Sequence, residues 1–162
     1  MKRVYIETTI ISYLAARSSR DLLAAAWQEI TREWWDDRRS QFDVFTSSLV
    51  LDEAGRGDAQ AARRRLDTLE RIPSLAITDA AVTFAKTLIS DGAVPEQALD
   101  DALHISLSAV HRMDYLLTWN FKHIDNAETK PLIRSSCLKH GFSYPEICTP
   151  QELMGEDRKS VV

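Results

Sequence analysis

Short, continuously apolar runs that pass through a polar capping residue into a stretch of helical periodicity restrict this chain more than any other feature. Val4-Tyr5-Ile6 passes through Glu7-Thr8-Thr9 to Ile10, Ile11, Tyr13 and Leu14. Phe42-Asp43-Val44-Phe45-Thr46 passes through Ser47 and Ser48 to Leu49, Val50, Leu51 and Glu53. Leu75-Ala76-Ile77-Thr78 leads through Asp79 and Ala80 to a helix ending near Ser90. Tyr115-Leu116-Leu117-Thr118 ends on Trp119-Asn120, and Glu146-Ile147-Cys148 precedes the capping box Thr149-Pro150-Gln151-Glu152. Runs of three or four apolar residues without alternation suit strands covered on both faces, as in a parallel sheet. Side-chain oxygens that accept the first helical N–H groups explain the Ser, Thr and Asp at each junction. Strands separated by one or two helices need right-handed crossovers, so the expected fold is α/β: a three-layer α/β/α sandwich with a central parallel sheet.

Residues 100–124 carry the most information. Pro95 suits a first helical turn, and Leu99, Ala102, Leu103, Ser106, Ala109, Val110 and Met113 then recur along one inward face. A longer helix is expected over residues 21–38, with Leu22, Leu23, Ala26, Trp27, Ile30 and Trp34 in its stripe and Trp35 covering the core rim. Another is expected over residues 126–140, with Pro131 early and Gly141 stopping it. Asp58 caps a helix carrying Arg63-Arg64-Arg65, the densest basic cluster, which reads as a solvated face or a phosphate-steering patch.

The 162 residues, 44% hydrophobic and 27% charged, are expected to make one domain over residues 1–154, and the polar tail over 155–162 is expected to fray. A net charge of −4 argues against holding nucleic acid by bulk electrostatics. Cys137 and Cys148 form neither a CxxC pair nor a disulfide framework, so a reducing cytoplasm is expected. Glu7 breaks the mildly apolar N-terminus, and no apolar run reaches membrane-spanning length. The histidines lack zinc spacing, and His104 with His111 is expected as a surface pair without a catalytic role. Gly55-Arg56-Gly57 does not follow a strand, so it is no dinucleotide fingerprint.

Polar groups at strand ends point to chemistry, because open α/β sheets bind ligands outside their carboxyl edge. Glu7, Glu53, Asp101 and Asn120 lie in four separate βα-type units, each at a place that can face that edge. Taken singly, each reads better as a cap or a partner of a helix dipole. Periodicity does not choose between Asp100 and Asp101. Trp119 is a candidate for stacking on an unpaired base, with packing at the strand end as the plainer reading.

On four segments the chain resembles the PIN domains, the nuclease fold of VapC-type toxins from bacterial toxin-antitoxin pairs. They are Val4-Tyr5-Ile6-Glu7-Thr8-Thr9, Thr46-Ser47-Ser48 through Glu53, Asp101-Ala102-Leu103 and Leu117-Thr118-Trp119-Asn120. The resemblance covers nearly the whole chain and rests on the order and spacing of the four together. It implies a divalent-metal-dependent endoribonuclease, the toxin of a type II pair, with Glu7, Glu53, Asp101 and Asn120 as its catalytic group. Glu7, Asp101 and Asn120 would bind Mg²⁺ or Mn²⁺, and Thr9 would support Glu7. Asp125 is a nearby spare carboxylate. The implied partners are an RNA substrate, an antitoxin covering the acidic cleft and a second copy of the chain, with Trp27, Trp34 and Trp35 as a candidate dimer surface.

The family usually has Asp at the first position and an acid at the fourth, where this chain has Glu7 and Asn120. A neutral fourth group predicts one tight ion, with any second arriving alongside substrate. The alternative is a catalytically weakened PIN-fold module that binds RNA or protein. A receiver-like phosphoacceptor or a metal-dependent phosphatase ranks lower, because Glu7-Thr8-Thr9 lacks the Asp nucleophile pattern.

Overall fold

The computed structural model describes residues 1–155. Beyond residue 155, the expected tail lies outside the described residues. Five parallel strands, β1 (Arg3–Ile6), β2 (Asp43–Ser47), β3 (Ser74–Leu75), β4 (Tyr115–Leu117) and β5 (Glu146–Cys148), form one sheet in the order β3-β2-β1-β4-β5. Tyr5 in the central strand pairs with Phe45 on one side and Leu116 on the other. The helices are α1 (Thr8–Ala15), α2 (Leu22–Asp37), α3 (Ser48–Ala54), α4 (Ala59–Leu69), α5 (Asp79–Ser90), α6 (Leu99–Val110) and α7 (Lys130–Lys139).

Strand order fixes the layers. From β1 through β2 to β3 the chain steps one way across the sheet, and from β3 through β4 to β5 it steps back. Right-handed crossovers therefore put α1 to α4 on one face and α5 to α7 on the other. The helix packing follows this division, α1 against α2, α3 and α4, and α5 against α6 and α7. The result is the expected three-layer α/β/α sandwich. It also places a topological switch point between β1 and β4, where crossovers leave in opposite directions and a crevice opens at the carboxyl edge.

The caps are chemically specific. Asp21, Ser47, Asp58 and Thr78 each accept a backbone N–H in the first turn of the following helix, at 2.9, 3.2, 2.9 and 3.2 Å. Thr149 and Glu152 form the capping box, although the helix they start is a single 3₁₀ turn, Pro150–Leu153. Arg64 donates to the carbonyl of Ala15, and Arg65 to those of Ala54 and Arg56, so two arginines of the basic cluster satisfy the orphan carbonyls ending α1 and α3.

Several expectations are corrected. Pro95 opens a turn closed by Ala98 N–H on its carbonyl, and α6 starts only at Leu99. Ala93, Val94 and Ala98 are buried, so the chain tucks into the core before the helix begins. Leu99, 45% exposed, lies off the inward face. β3 is two residues long, starting one residue before the expected run and ending at Leu75. In α2 Trp34 is buried as expected, but Leu22 and Leu23 are 88% and 58% exposed, and Gln28, Thr31 and Trp35 are buried instead. Trp34 and Trp35 are therefore core residues and unavailable as a dimer surface. Among the described residues, no helix is long and apolar enough to cross a membrane.

Truncating Trp34 to Ala is expected to cost about 3–5 kcal/mol by chemical denaturation, because it opens a cavity in the core. Leu22→Ala is expected to change stability by less than ~0.5 kcal/mol, as for other exposed positions.

Candidate active site

Glu7 is the residue between β1 and α1, and its backbone N–H still pairs with Leu117 of β4 at 3.1 Å. That bond extends the sheet by one residue and delivers the carboxylate to the switch point. Only 4% of the residue is exposed. Thr9 and Thr118 both donate their hydroxyls to Glu7 Oε1. The same hydroxyls accept backbone N–H groups from the chain leaving β4, Thr9 from Trp119 at 2.8 Å and Thr118 from Asn120 at 2.9 Å. With their lone pairs engaged by those donors, the hydroxyl protons face Glu7, and the carboxylate ties the ends of β1 and β4 together. Burial pushes the Glu7 carboxyl above its ordinary value, and the charge of His104 with the bonds from Thr9 and Thr118 only partly offsets this.

Glu53, on α3, is reached from two other elements. Its Oε1 accepts the Thr8 hydroxyl at 2.6 Å and His104 Nε2–H at 2.6 Å. His104, one turn after Asp101 on α6, is fully buried, so the expected surface pair with His111 is not formed. Its Nδ1 is 2.7 Å from the Tyr5 hydroxyl, which is 2.8 Å from Ser47 Oγ. A neutral imidazole accepts the Tyr5 proton at Nδ1, whereas an imidazolium donates to Tyr5, whose proton then turns to Ser47. Either arrangement leaves no buried polar group of the strut unpaired.

Charge separates the two glutamates. Burial alone would lower the His104 imidazole, but its bond to Glu53 and the charges of Glu7, Glu53 and Asp101 hold it above its ordinary value. Burial alone would raise Glu53, but His104, the Thr8 hydroxyl and Arg56 hold it below. One glutamate of the pair is thus pushed up and the other down.

Asp101 and Asn120 meet at the rim. Asn120 Nδ2 donates to Asp101 Oδ1 at 3.1 Å, and His123 Nδ1 lies 3.3 Å from Asp101 Oδ2. The carbonyl oxygen of Asn120 accepts two backbone N–H groups, from Lys122 at 3.1 Å and His123 at 3.0 Å. Asn120 thus orients Asp101 with its amide and shapes its own turn with its oxygen. Asp101 and Glu53 line a cleft of about 420 Å³ with Gln97, Ala98, Leu99, Asp100 and His123. Asp125 is no spare carboxylate: it is buried and paired with Lys130 at 2.6 Å. Trp119 is 5% exposed, stacked on Trp27 and donating Nε1–H to Thr31, so it packs at the strand end.

The donor set fits a hard cation in kind, since Glu7 and Asp101 offer carboxylate oxygen. Among the described residues, no three or more His, Cys, Asp and Glu side chains form a group that could hold an ion. Mg²⁺ needs no such cage, because it commonly takes one or two carboxylates and completes its shell with water and substrate phosphate. His104, Tyr5, Ser47, Thr8, Thr118 and His123 escaped the sequence reading. The spacing of His104, one helical turn after Asp101, was the available signal.

No family model and no curated protein sequence matches this chain. Its fold is similar to that of a chain in the crystal structure of VapBC2 from Rickettsia felis bound to a DNA fragment from their promoter, with a TM-score of 0.54 and 13% identity, over 91% of this chain and 98% of that one. At that identity the likeness concerns the fold, and it is the fold that the resemblance to PIN domains implies.

The Glu7 carboxyl, raised above its ordinary value of 4.5, opposes folding once ionised. Stability from this group is complete below pH 4.5 and is lost as pH rises through the folded-state value. Glu7→Gln, whose amide oxygen still accepts both hydroxyls, is expected to melt higher than wild type at pH 7, with the difference shrinking as pH falls towards 4.5. Thermal melts across that pH range check it.

Proposed function

We infer that this chain is a PIN-type endoribonuclease requiring Mg²⁺ or Mn²⁺, and the toxin of a type II toxin-antitoxin pair. What supports the reading is the set of hydrogen bonds around the β1/β4 switch point: Thr118 at the end of β4 holds Glu7, Thr8 beside Glu7 reaches Glu53, and Asn120 beyond β4 reaches Asp101. A phosphodiester is repelled by bare carboxylates, so a cluster of this sign is useful against RNA only with a cation between them. Glu7 and Asp101 would hold the ion, which when bound lowers the pKa of water and neutralises charge on the phosphate. With a neutral Asn120 in the fourth place, one tight ion is proposed, with any second arriving alongside the RNA and its phosphate oxygens.

The chain's own residues supply orientation and charge. Thr9 and Thr118 fix the Glu7 carboxylate, Asn120 and His123 fix Asp101, and His104 keeps Glu53 anionic at the cleft wall. Asn120 acts here by positioning Asp101. An antitoxin is proposed to cover the acidic cleft, and a homodimer is proposed to use the exposed Leu22 and Leu23 at the start of α2.

A second reading, a PIN-fold binding module that no longer cuts, is favoured by one observation: the Asn120 oxygen is committed to two backbone N–H groups. Incubating purified protein with mixed single-stranded and structured RNA separates the two. Cleavage that requires Mn²⁺ or Mg²⁺, vanishes in Asp101→Asn and falls about 10- to 100-fold in Asn120→Ala is expected for the nuclease. Binding of RNA by wild type with no cleavage under any metal supports the second reading.

A further inference from the structure

The turn that follows β4 exposes an aromatic ring beside the acidic cleft. Phe121 is 41% exposed and meets Trp27 and Trp119 edge-on, at centroid distances of 5.5 and 6.1 Å. Those two rings are stacked on each other at 5.2 Å, with Tyr13 edge-on to both, so Phe121 is the outermost member of a packed aromatic column. Its neighbour Lys122 is also exposed.

The turn is held rigidly. Asn120 Oδ1 accepts from Lys122 and His123, Asp125 N–H donates to the Asn120 carbonyl at 2.8 Å, and Asn126 Nδ2 donates to the Phe121 carbonyl at 3.0 Å. The residues on either side of the Phe121-Lys122 pair, Asn120 and His123, both reach Asp101. Ring and cation are therefore presented at a fixed place, within two residues of His123 in the cleft wall. An exposed ring loses little entropy on stacking when its backbone and its backing rings are already ordered.

We propose that Phe121 and Lys122 form a subsite for one unpaired nucleotide of the RNA, Phe121 stacking on the base and Lys122 pairing with its phosphate. The proposal rests on the ribonuclease reading and adds which residues of this chain receive one nucleotide beside the cleft. A π-face accepts any base, so the subsite selects unpaired nucleotides more than sequence. On a chain of net charge −4, a cation beside the cleft also gives the incoming backbone a local partner.

The test is a two-by-two cycle on the full chain in Mn²⁺. Wild type and Phe121→Leu are compared on a short single-stranded RNA and on the same RNA with one base removed at each position in turn. Binding is read by fluorescence polarisation and cleavage on gels. Phe121→Leu is expected to weaken binding about tenfold or more. Removing one particular base is expected to weaken wild type by as much, and both proteins then bind that abasic RNA equally. Phe121→Tyr retains wild-type binding, and Lys122→Ala lowers the salt slope by roughly 0.7. Equal binding of intact RNA by wild type and Phe121→Leu, with cleavage continuing, overturns the subsite and leaves the ribonuclease reading standing. Loss of self-association in Phe121→Leu with RNA binding unchanged assigns the ring to a second copy and overturns the subsite. Folded wild type that neither binds nor cuts RNA overturns both.

Discussion

The buried carboxylate of Glu7 is the interaction on which the rest of the site depends. Burial of an anion is costly unless hydrogen bonds replace its water. Here the replacement is made by two threonine hydroxyls that are themselves held by the backbone leaving β4. Glu7 therefore does two things at once. It closes the gap where β1 and β4 send their crossovers to opposite faces, and it keeps a hard oxygen group at the point where an α/β sheet opens to ligands. The compensation is incomplete, since the carboxyl is still pushed up. A site that stores an undercompensated charge has a reason to take a cation, and a protein that keeps such a charge gives up stability for it.

The second glutamate is treated differently although it stands at the same edge. Glu53 is partly buried, with 20% of its side chain exposed, and carries a buried imidazole as partner, so its charge is supported from within the fold. The support runs from Ser47 through Tyr5 to His104, which links the second strand, the first strand and α6 before reaching Glu53 on α3. Ser47 also caps α3, so the helix bearing Glu53 and the strut bearing on its side chain share one hydroxyl. Displacement of any of these elements would be felt at the carboxylate.

At the rim, the neutral residue in the fourth position has a definable function. An aspartate beside Asp101 would add repulsion that only a metal could offset. The Asn120 amide instead donates to Asp101 and folds its own turn, so Asp101 is oriented without needing an ion. That turn then carries Phe121, Lys122 and His123, so one residue ties the acidic cleft to the neighbouring aromatic surface.

Sequence alone determined the α/β class, the parallel sheet, the junctions and most caps, because these rest on local rules: short unbroken apolar runs, and side-chain oxygens at helix starts. Order and spacing also put Glu7, Glu53, Asp101 and Asn120 in four separate βα-type units, with Glu53 in the last turn of its helix. Tertiary structure decided what local patterns do not encode. The stripe read along α2 had Trp34 inside but missed that the first turn projects from the body while Gln28 and Thr31 are buried, since burial depends on what packs against a helix. His104 looked like a surface residue because periodicity carries no information about a tyrosine ninety-nine positions away that reaches its ring. The partners of Asp101 and Glu53, and the exposure of Phe121 in place of Trp119, follow from side chains meeting across separate elements. Such meetings are set by the sheet order β3-β2-β1-β4-β5, which no stretch of the chain contains by itself.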